Sequence, residues 1–264
     1  MRPINPRLDH WFQPHVQEAL AALTHQISGV QDVSQREALQ VALSSIIVRV
    51  SNQESDTRYA AMEKNVSADD VFRLFSRAAL ALDGALCEFI GGLPVTPGRA
   101  RIVNRDILSV TPDELGVRAG LVITSPPYPN AYEYWLYHKY RMYWLGMDPI
   151  AVREREIGAR PHYHKVNGQD EHDFERQMGA VFGLLAEVML PQAKACFIVG
   201  RSIIRGRLID NVKLLIDASA QHGFVLWDAI ERQIPARRKS FNPVNSRINR
   251  EHLVVFSLET PTCG

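Results

Sequence analysis

The sequence predicts an α/β protein in which a helical region, residues 1–99, precedes an α/β region over residues 100–264. Three observations carry this reading. Apolar residues recur at helical spacing through the first hundred residues, and after about residue 100 short β-prone runs alternate with helical stretches. The composition, 46% hydrophobic and 22% charged, is that of an ordinary globular chain. No stretch approaches the run of about 18 apolar residues that a membrane span needs, so none is expected. The start, Met1-Arg-Pro-Ile-Asn-Pro6, lacks the apolar core of a signal peptide, and the expected location is the cytoplasm. Cys87, Cys196 and Cys263 stand singly, which suits reduced thiols better than a disulfide framework or a paired metal site.

Each element has its own signal. After Trp11-Phe12-Gln13-Pro14, the residues Val16, Leu20, Leu23 and Ile27 mark one helix, closed by Gly29. Ser34 precedes Glu37 at the capping-box spacing and predicts the start of a second helix carrying Ala38, Leu39, Ala42, Leu43, Ile46 and Ile47. Ser51–Thr57 is polar and reads as a connection. Ser67 opens a third helix with Val71, Leu74, Phe75, Ala78, Leu82 and Leu86 on one side; it stops at Gly91-Gly92-Leu93-Pro94. Strands are expected at 100–104, 121–124, 195–199, 224–227 and 253–258, with helices over 132–146, 173–189 and 208–221 between them. That alternation implies a mostly parallel sheet, whose ligands bind beyond the carboxyl ends of its strands.

One such strand end carries chemistry: Leu121-Val-Ile-Thr-Ser-Pro-Pro-Tyr-Pro-Asn130. Two consecutive prolines have no N–H and fixed φ, so the turn presents carbonyl oxygens and no donors. Ser125 adds a hydroxyl acceptor and Tyr128 a flat ring. Acceptors beside a stacking surface suit a planar group with an exocyclic amine; a strand-ending Pro-Pro turn with no ligand is the structural alternative. Downstream, residues 128–144 hold six of the eight tyrosines and two of the four tryptophans. Tyr137, Tyr140 and Trp144 fall on one helical face and are expected to be core, with Tyr132 or Tyr134 the candidates for a base pocket. His162 and His164 lie two apart with no third ligand fixed nearby, so no metal site is expected.

Thr124-Ser125-Pro126-Pro127-Tyr128, at the end of an apolar strand, resembles the (D/N/S)PP(Y/F) signature of DNA amino-methyltransferases, and the resemblance covers about residues 100–258. It implies a Rossmann-like methyltransferase sheet and methyl transfer from S-adenosyl-L-methionine to N4 of cytosine or N6 of adenine in duplex DNA. By position, Ser125, Pro126, Pro127 and Tyr128 would be the catalytic residues, with Ser125 and the Pro126 carbonyl accepting the amine hydrogens and Tyr128 stacking on a flipped base. Serine in the first motif position leans towards N4-cytosine. No cysteine follows a proline, which argues against a covalent C5 mechanism.

The chain departs from this family in one respect. A strand ending in a Gly-rich turn, usually Phe-x-Gly-x-Gly, should hold the cofactor, yet Phe89-Ile-Gly-Gly and Phe197-Ile-Val-Gly do not supply one. Asp106, in Asn104-Arg-Asp-Ile, is the one candidate cofactor residue, with a helix N-cap as its structural alternative. The chain thus resembles the C-terminal portion of a methylase, with 100–264 as a partial catalytic domain. The expectation is a split enzyme, restriction-modification in type, whose partner subunit carries the Gly-rich strand and most of the cofactor site. An inactive methyltransferase-like subunit that binds DNA or regulates a partner is the alternative. Residues 201–250 carry 10 basic against 4 acidic side chains, a balance that suits a polyanion. Arg201, Arg205 and Arg207, and separately Arg237, Arg238 and Lys239, are the candidate phosphate contacts.

Overall fold

The computed structural model describes residues 3, 7–56, 58–96, 98–130, 132–164, 168–233 and 250–259. The chain begins α1 (Leu8–Trp11), α2 (Pro14–Ser28), α3 (Val33–Val50), β1 (Gln53–Ser55), β2 (Arg58–Ala61) and α4 (Ala68–Gly91). It continues α5 (Pro112–Leu115), β3 (Ala119–Thr124), α6 (Tyr134–Tyr137), α7 (Lys139–Trp144), α8 (Pro149–Arg155) and α9 (Arg160–Tyr163). The last elements are α10 (Glu171–Val188), β4 (Met189–Gly200), β5 (Ser202–Ile204), β6 (Arg207–Ile209), α11 (Asn211–Ala220), β7 (Phe224–Gln233) and β8 (Arg250–Leu258). No helix among the described residues is long and apolar enough to cross a membrane.

The elements form two compact units, one of residues 1–100 with 134–154, the other of residues 101–133 with 155–264. In the first unit α2 offers Val16, Leu20, Leu23 and Ile27 to a core completed by Leu43, Ile46 and Ile47 of α3 and Val71 of α4. Tyr140 and Trp144 are buried there, as the spacing suggested, whereas Tyr137, expected on the same core face, is only half-buried and stands outside this core. Trp11 lies 4.6 Å from Tyr59 and 5.2 Å from Tyr140 between ring centroids, and the two tyrosine hydroxyls are hydrogen-bonded at 3.0 Å.

Three expectations for this unit are corrected. α3 starts one turn's fraction earlier than Ser34: Asp32 is the N-cap, its carboxylate accepting from the Gln35 N–H at 2.9 Å. A carboxylate at that position also meets the positive end of the helix dipole, which a serine does not exploit. The polar stretch after Ser51 forms the β1–β2 hairpin. Ser67 does cap α4, with Asp70 as its capping-box partner, but the apolar stripe is covered over only half its length. Leu74, Phe75 and Ala78 pack on the core, whereas Leu86, Phe89 and Ile90 are exposed.

The second unit holds a four-stranded sheet in the order β3-β4-β8-β7. β3 and β4 are parallel, and β8 is antiparallel to both β4 and β7. The α/β class is as expected, but the sheet is mixed rather than mostly parallel, because β8 occupies the place between β4 and β7 and runs against both. β3, β4 and β7 therefore point the same way. The expected strand at 100–104 is absent. Instead the Arg101 guanidinium donates to the Glu114 and Leu115 carbonyls, both at 2.7 Å, and Ile102 is 93% exposed with no ladder partner. A β-prone run without a neighbouring strand has nowhere to place its N–H and C=O groups and stays irregular.

Cross-strand register divides the sheet into two faces. Val122, Ala195, Phe197, Val254 and Phe256 share one face and meet Phe174, Met178, Phe182 and Leu185 of α10 and Leu215 of α11. Phe182 sits 4.9 Å from Phe197 and 5.2 Å from both Phe224 and Phe256 between centroids. On the opposite face Leu121, opposite Lys194, is 57% exposed, and Ile123, opposite Cys196, is 70% exposed.

Candidate functional site

β3 delivers the Pro-Pro turn to the rim where the co-directional strands end. Thr124 is the last ladder residue, paired with Phe197, and Ser125 follows directly. Ser125 is exposed and its hydroxyl donates to the Ile198 carbonyl at 3.4 Å, a long contact that leaves both oxygen lone pairs available as acceptors. Pro126 is buried, Pro127 and Tyr128 are half-buried, and Tyr128 packs against the core of the second unit. Three of the six residues from Ser125 to Asn130 are prolines, so the loop has three amide N–H groups in all.

The loop is fastened at its far end. Asn130 adopts φ 56°, a left-handed conformation that asparagine tolerates better than most residues. Its side-chain amide donates to the Ile203 carbonyl in β5 at 2.7 Å, and its backbone N–H donates to the Gly158 carbonyl at 2.9 Å. Gly158 itself is at φ +75°, and a Cβ placed there would stand 3.1 Å from the Tyr128 carbonyl oxygen and 3.3 Å from Pro129 Cα. Sequence reading passed over both residues. The signals were an Asn directly after a Pro-rich turn and a lone Gly after Ile157, each weak without knowing that they meet.

Arg201 follows the end of β4 on this rim and is exposed. Arg205 and Gly206, at φ 49° and 79°, form the two-residue turn of the β5–β6 hairpin, the backbone shape of a type I′ turn. The Arg205 guanidinium donates to the Gly168 carbonyl at 3.0 Å, and Arg207 is ion-paired with Glu171 at the start of α10. Two of the three arginines in this cluster are thus engaged in holding the hairpin to the 168–171 segment. β7 ends at Gln233 on the same side of the sheet as β3 and β4, and the second cluster, Arg237, Arg238 and Lys239, lies beyond it, outside the described residues.

Asp106 is half-buried and closes a turn: its carboxylate accepts from the Leu108 N–H at 3.1 Å and its carbonyl from the Ser109 hydroxyl at 2.9 Å. Between His162 and His164, Tyr163 is a core residue, and burial raises its phenol above the ordinary tyrosine range, with Asp173 and Asp170 adding to the effect. Among the described residues no three His, Cys, Asp or Glu side chains gather as a metal set.

No family model and no curated protein matches the chain. Among solved structures it is similar to a Thermus thermophilus protein provisionally assigned as a DNA modification methylase, at 15% identity and a TM-score of 0.31. That alignment covers 58% of this chain and 49% of the other, so this chain matches about half the length of that protein. It is also similar to a provisionally assigned methyltransferase from Thermoplasma acidophilum, at 12% identity and a TM-score of 0.24, over 63% of this chain and 87% of the other. Likeness at this level carries no functional weight by itself.

Proposed function

We propose that the chain is a subunit of an S-adenosyl-L-methionine-dependent DNA amino-methyltransferase, acting on an exocyclic amine with N4 of cytosine favoured over N6 of adenine. The observation that carries the reading is the Ser-Pro-Pro-Tyr loop at the carboxyl end of a parallel strand, with its prolines packed inwards and Ser125 exposed. Such a loop can receive both hydrogens of an amine, on Ser125 Oγ and the Pro126 carbonyl. Accepting them raises electron density on a poorly nucleophilic nitrogen and fixes the direction of its lone pair. Tyr128 would supply the flat ring on which the flipped base stacks.

The cofactor does not fit this chain alone. Its methionine and ribose groups call for backbone N–H donors and a free carboxylate, whereas the loop is donor-poor and the Asp106 carboxylate already closes a turn. The proposal therefore assigns the Gly-rich strand to a partner subunit. What supports this is that β3 is an edge strand of the sheet, apolar, without the charge or proline that usually protects an edge, and that Leu121 and Ile123 on one of its faces are uncovered. Ile102, in the stretch leading to it, is also exposed.

Calorimetric titration and a tritiated methyl-transfer assay test the reading. The expected result is little or no S-adenosyl-L-methionine binding by the chain alone, with binding and methylation of duplex DNA once the product of an adjacent reading frame is added. Ser125→Ala in the assembled enzyme should lower the rate about a hundredfold, the loss of one preorganised polar contact at about 3 kcal/mol. Micromolar binding by the chain alone would overturn the split arrangement. Methylation unaffected by Ser125→Ala would favour a subunit that binds DNA without catalysis.

A further inference from the structure

Resting on that reading, we infer that Asn130 is a positioning residue: its side-chain bond to the Ile203 carbonyl is what fixes the orientation of Ser125 to Tyr128. The loop's own backbone offers few donors. With three prolines in six residues it has few N–H groups for internal turns, and its first anchor, Ser125 to Ile198, is long at 3.4 Å. Asn130 supplies two shorter bonds, 2.7 Å to Ile203 of β5 and 2.9 Å to Gly158 ahead of α9. The amide can face only one way, since reversing it would set its oxygen against the Ile203 carbonyl oxygen. In the orientation observed, Asn130 Oδ1 is enclosed and has no hydrogen-bond partner among the described residues. An enclosed acceptor left unpaired is a cost that a merely space-filling side chain would not carry, which points to the donor half of the amide as the reason asparagine is there.

Asparagine also suits the φ of 56°, so the two roles must be separated. Asn130→Gly keeps the backbone conformation available and removes the side-chain bond. Asn130→Asp keeps shape and conformation and makes the donor conditional: a protonated carboxyl can donate to the Ile203 carbonyl, an ionised one cannot. A carboxyl facing a carbonyl oxygen ionises above the ordinary aspartate range, so the bond is present at low pH and lost as pH rises through the shifted value.

The probe is 3-fluorotyrosine placed at Tyr128, read by fluorine NMR in the full chain, with amide exchange at Tyr128 alongside. The wild type should give one narrow resonance, unchanged between pH 4.5 and 7, below the ionisation of the fluorinated phenol. Asn130→Gly should give a broadened or divided resonance and at least tenfold faster exchange at every pH, with thermal unfolding still cooperative. Asn130→Asp should resemble wild type at the acid end and the glycine variant at the upper end. A glycine variant indistinguishable from wild type would overturn the inference, as would an aspartate variant that does not respond to pH. In the assembled enzyme, Asn130→Gly should lower kcat at least tenfold with the KM for DNA unchanged. Absence of methylation by the wild-type assembly would count against the methyltransferase reading, while the fluorine result would still decide the role of Asn130.

Discussion

Replacing Gly158 by alanine probes the contact between the 157–158 turn and the Pro-rich loop. Two terms act. An alanine at φ +75° meets the steric penalty of the left-handed region, about 1–2 kcal/mol. Its Cβ would also lie 3.1 Å from the Tyr128 carbonyl oxygen and 3.3 Å from Pro129 Cα, both backbone atoms that cannot rotate away. Overpacking of that kind adds about 1–3 kcal/mol. The expected loss is about 3 kcal/mol, and at about 2–4 °C per kcal/mol for a chain of this size the midpoint should fall by about 6–12 °C. Gly206→Ala is the control, because Gly206 has a similar φ of +79° and no atom within 4 Å of the added Cβ. It should lose about 1 kcal/mol, from conformation alone. Native-state hydrogen exchange of the α10 peptide under increasing urea reports opening of the unit that carries both glycines. Equal losses for the two variants, within about 0.5 kcal/mol, would refute the packing argument and with it the view that the loop is buttressed from this side.

Further expectations concern the core, pH and DNA. Phe182→Ala removes a fully buried ring in contact with three other phenylalanines and should cost about 3–5 kcal/mol, seen as a lower urea midpoint with little change in slope. Burial, foremost, raises the phenols of Tyr59, Tyr140 and Tyr163 above their ordinary 10.0. The folded protein then keeps protons that the unfolded chain gives up, so the contribution of these three phenols to stability should be level below about pH 10 and be lost steadily above it. A thermal midpoint that stays constant from pH 9 to 11.5 would refute this. For DNA, Arg237→Ala, Arg238→Ala and Lys239→Ala combined should flatten the slope of log affinity against log salt by up to about 3, at about 0.9 per phosphate, and weaken all sequences alike. Duplex affinity of the assembled enzyme that ignores both salt and this triple substitution would redirect the reading to an amine outside nucleic acid.

Local pattern was enough to read most of the helices and the four strands of the main sheet. α2 and α4 carry their own apolar spacing, with a proline opening α2 and a capping box opening α4, and β3, β4, β7 and β8 contain the β-prone runs that mark them. The Pro-Pro loop was legible for the same reason, since proline sets φ and removes the donor without reference to any neighbour. Where the sequence misled, a partner decided. Residues 100–104 are as β-prone as β3, but a strand exists only where another strand accepts its hydrogen bonds, and here Arg101 is held to Glu114 and Leu115 instead. The hairpins β1–β2 and β5–β6 went unread because each is three or four residues long and pairs only with its own return.

What the sequence by itself determined is chemistry: acceptors without donors at a strand end, an aromatic ring after them, and basic residues beyond neighbouring strands. What only the tertiary structure decided is how that chemistry is held. That Asn130 reaches Ile203, that Gly158 admits the Tyr128 backbone, and that Arg207 is already paired with Glu171 are relations between residues 30 to 73 positions apart. No local rule encodes them, because hydrogen bonds and van der Waals contact depend on separation in space, and periodicity reports only separation along the chain. The same holds for the uncovered face of β3: the run Leu121-Val-Ile-Thr124 reads as an apolar strand, and only the packing reveals that one of its faces is open.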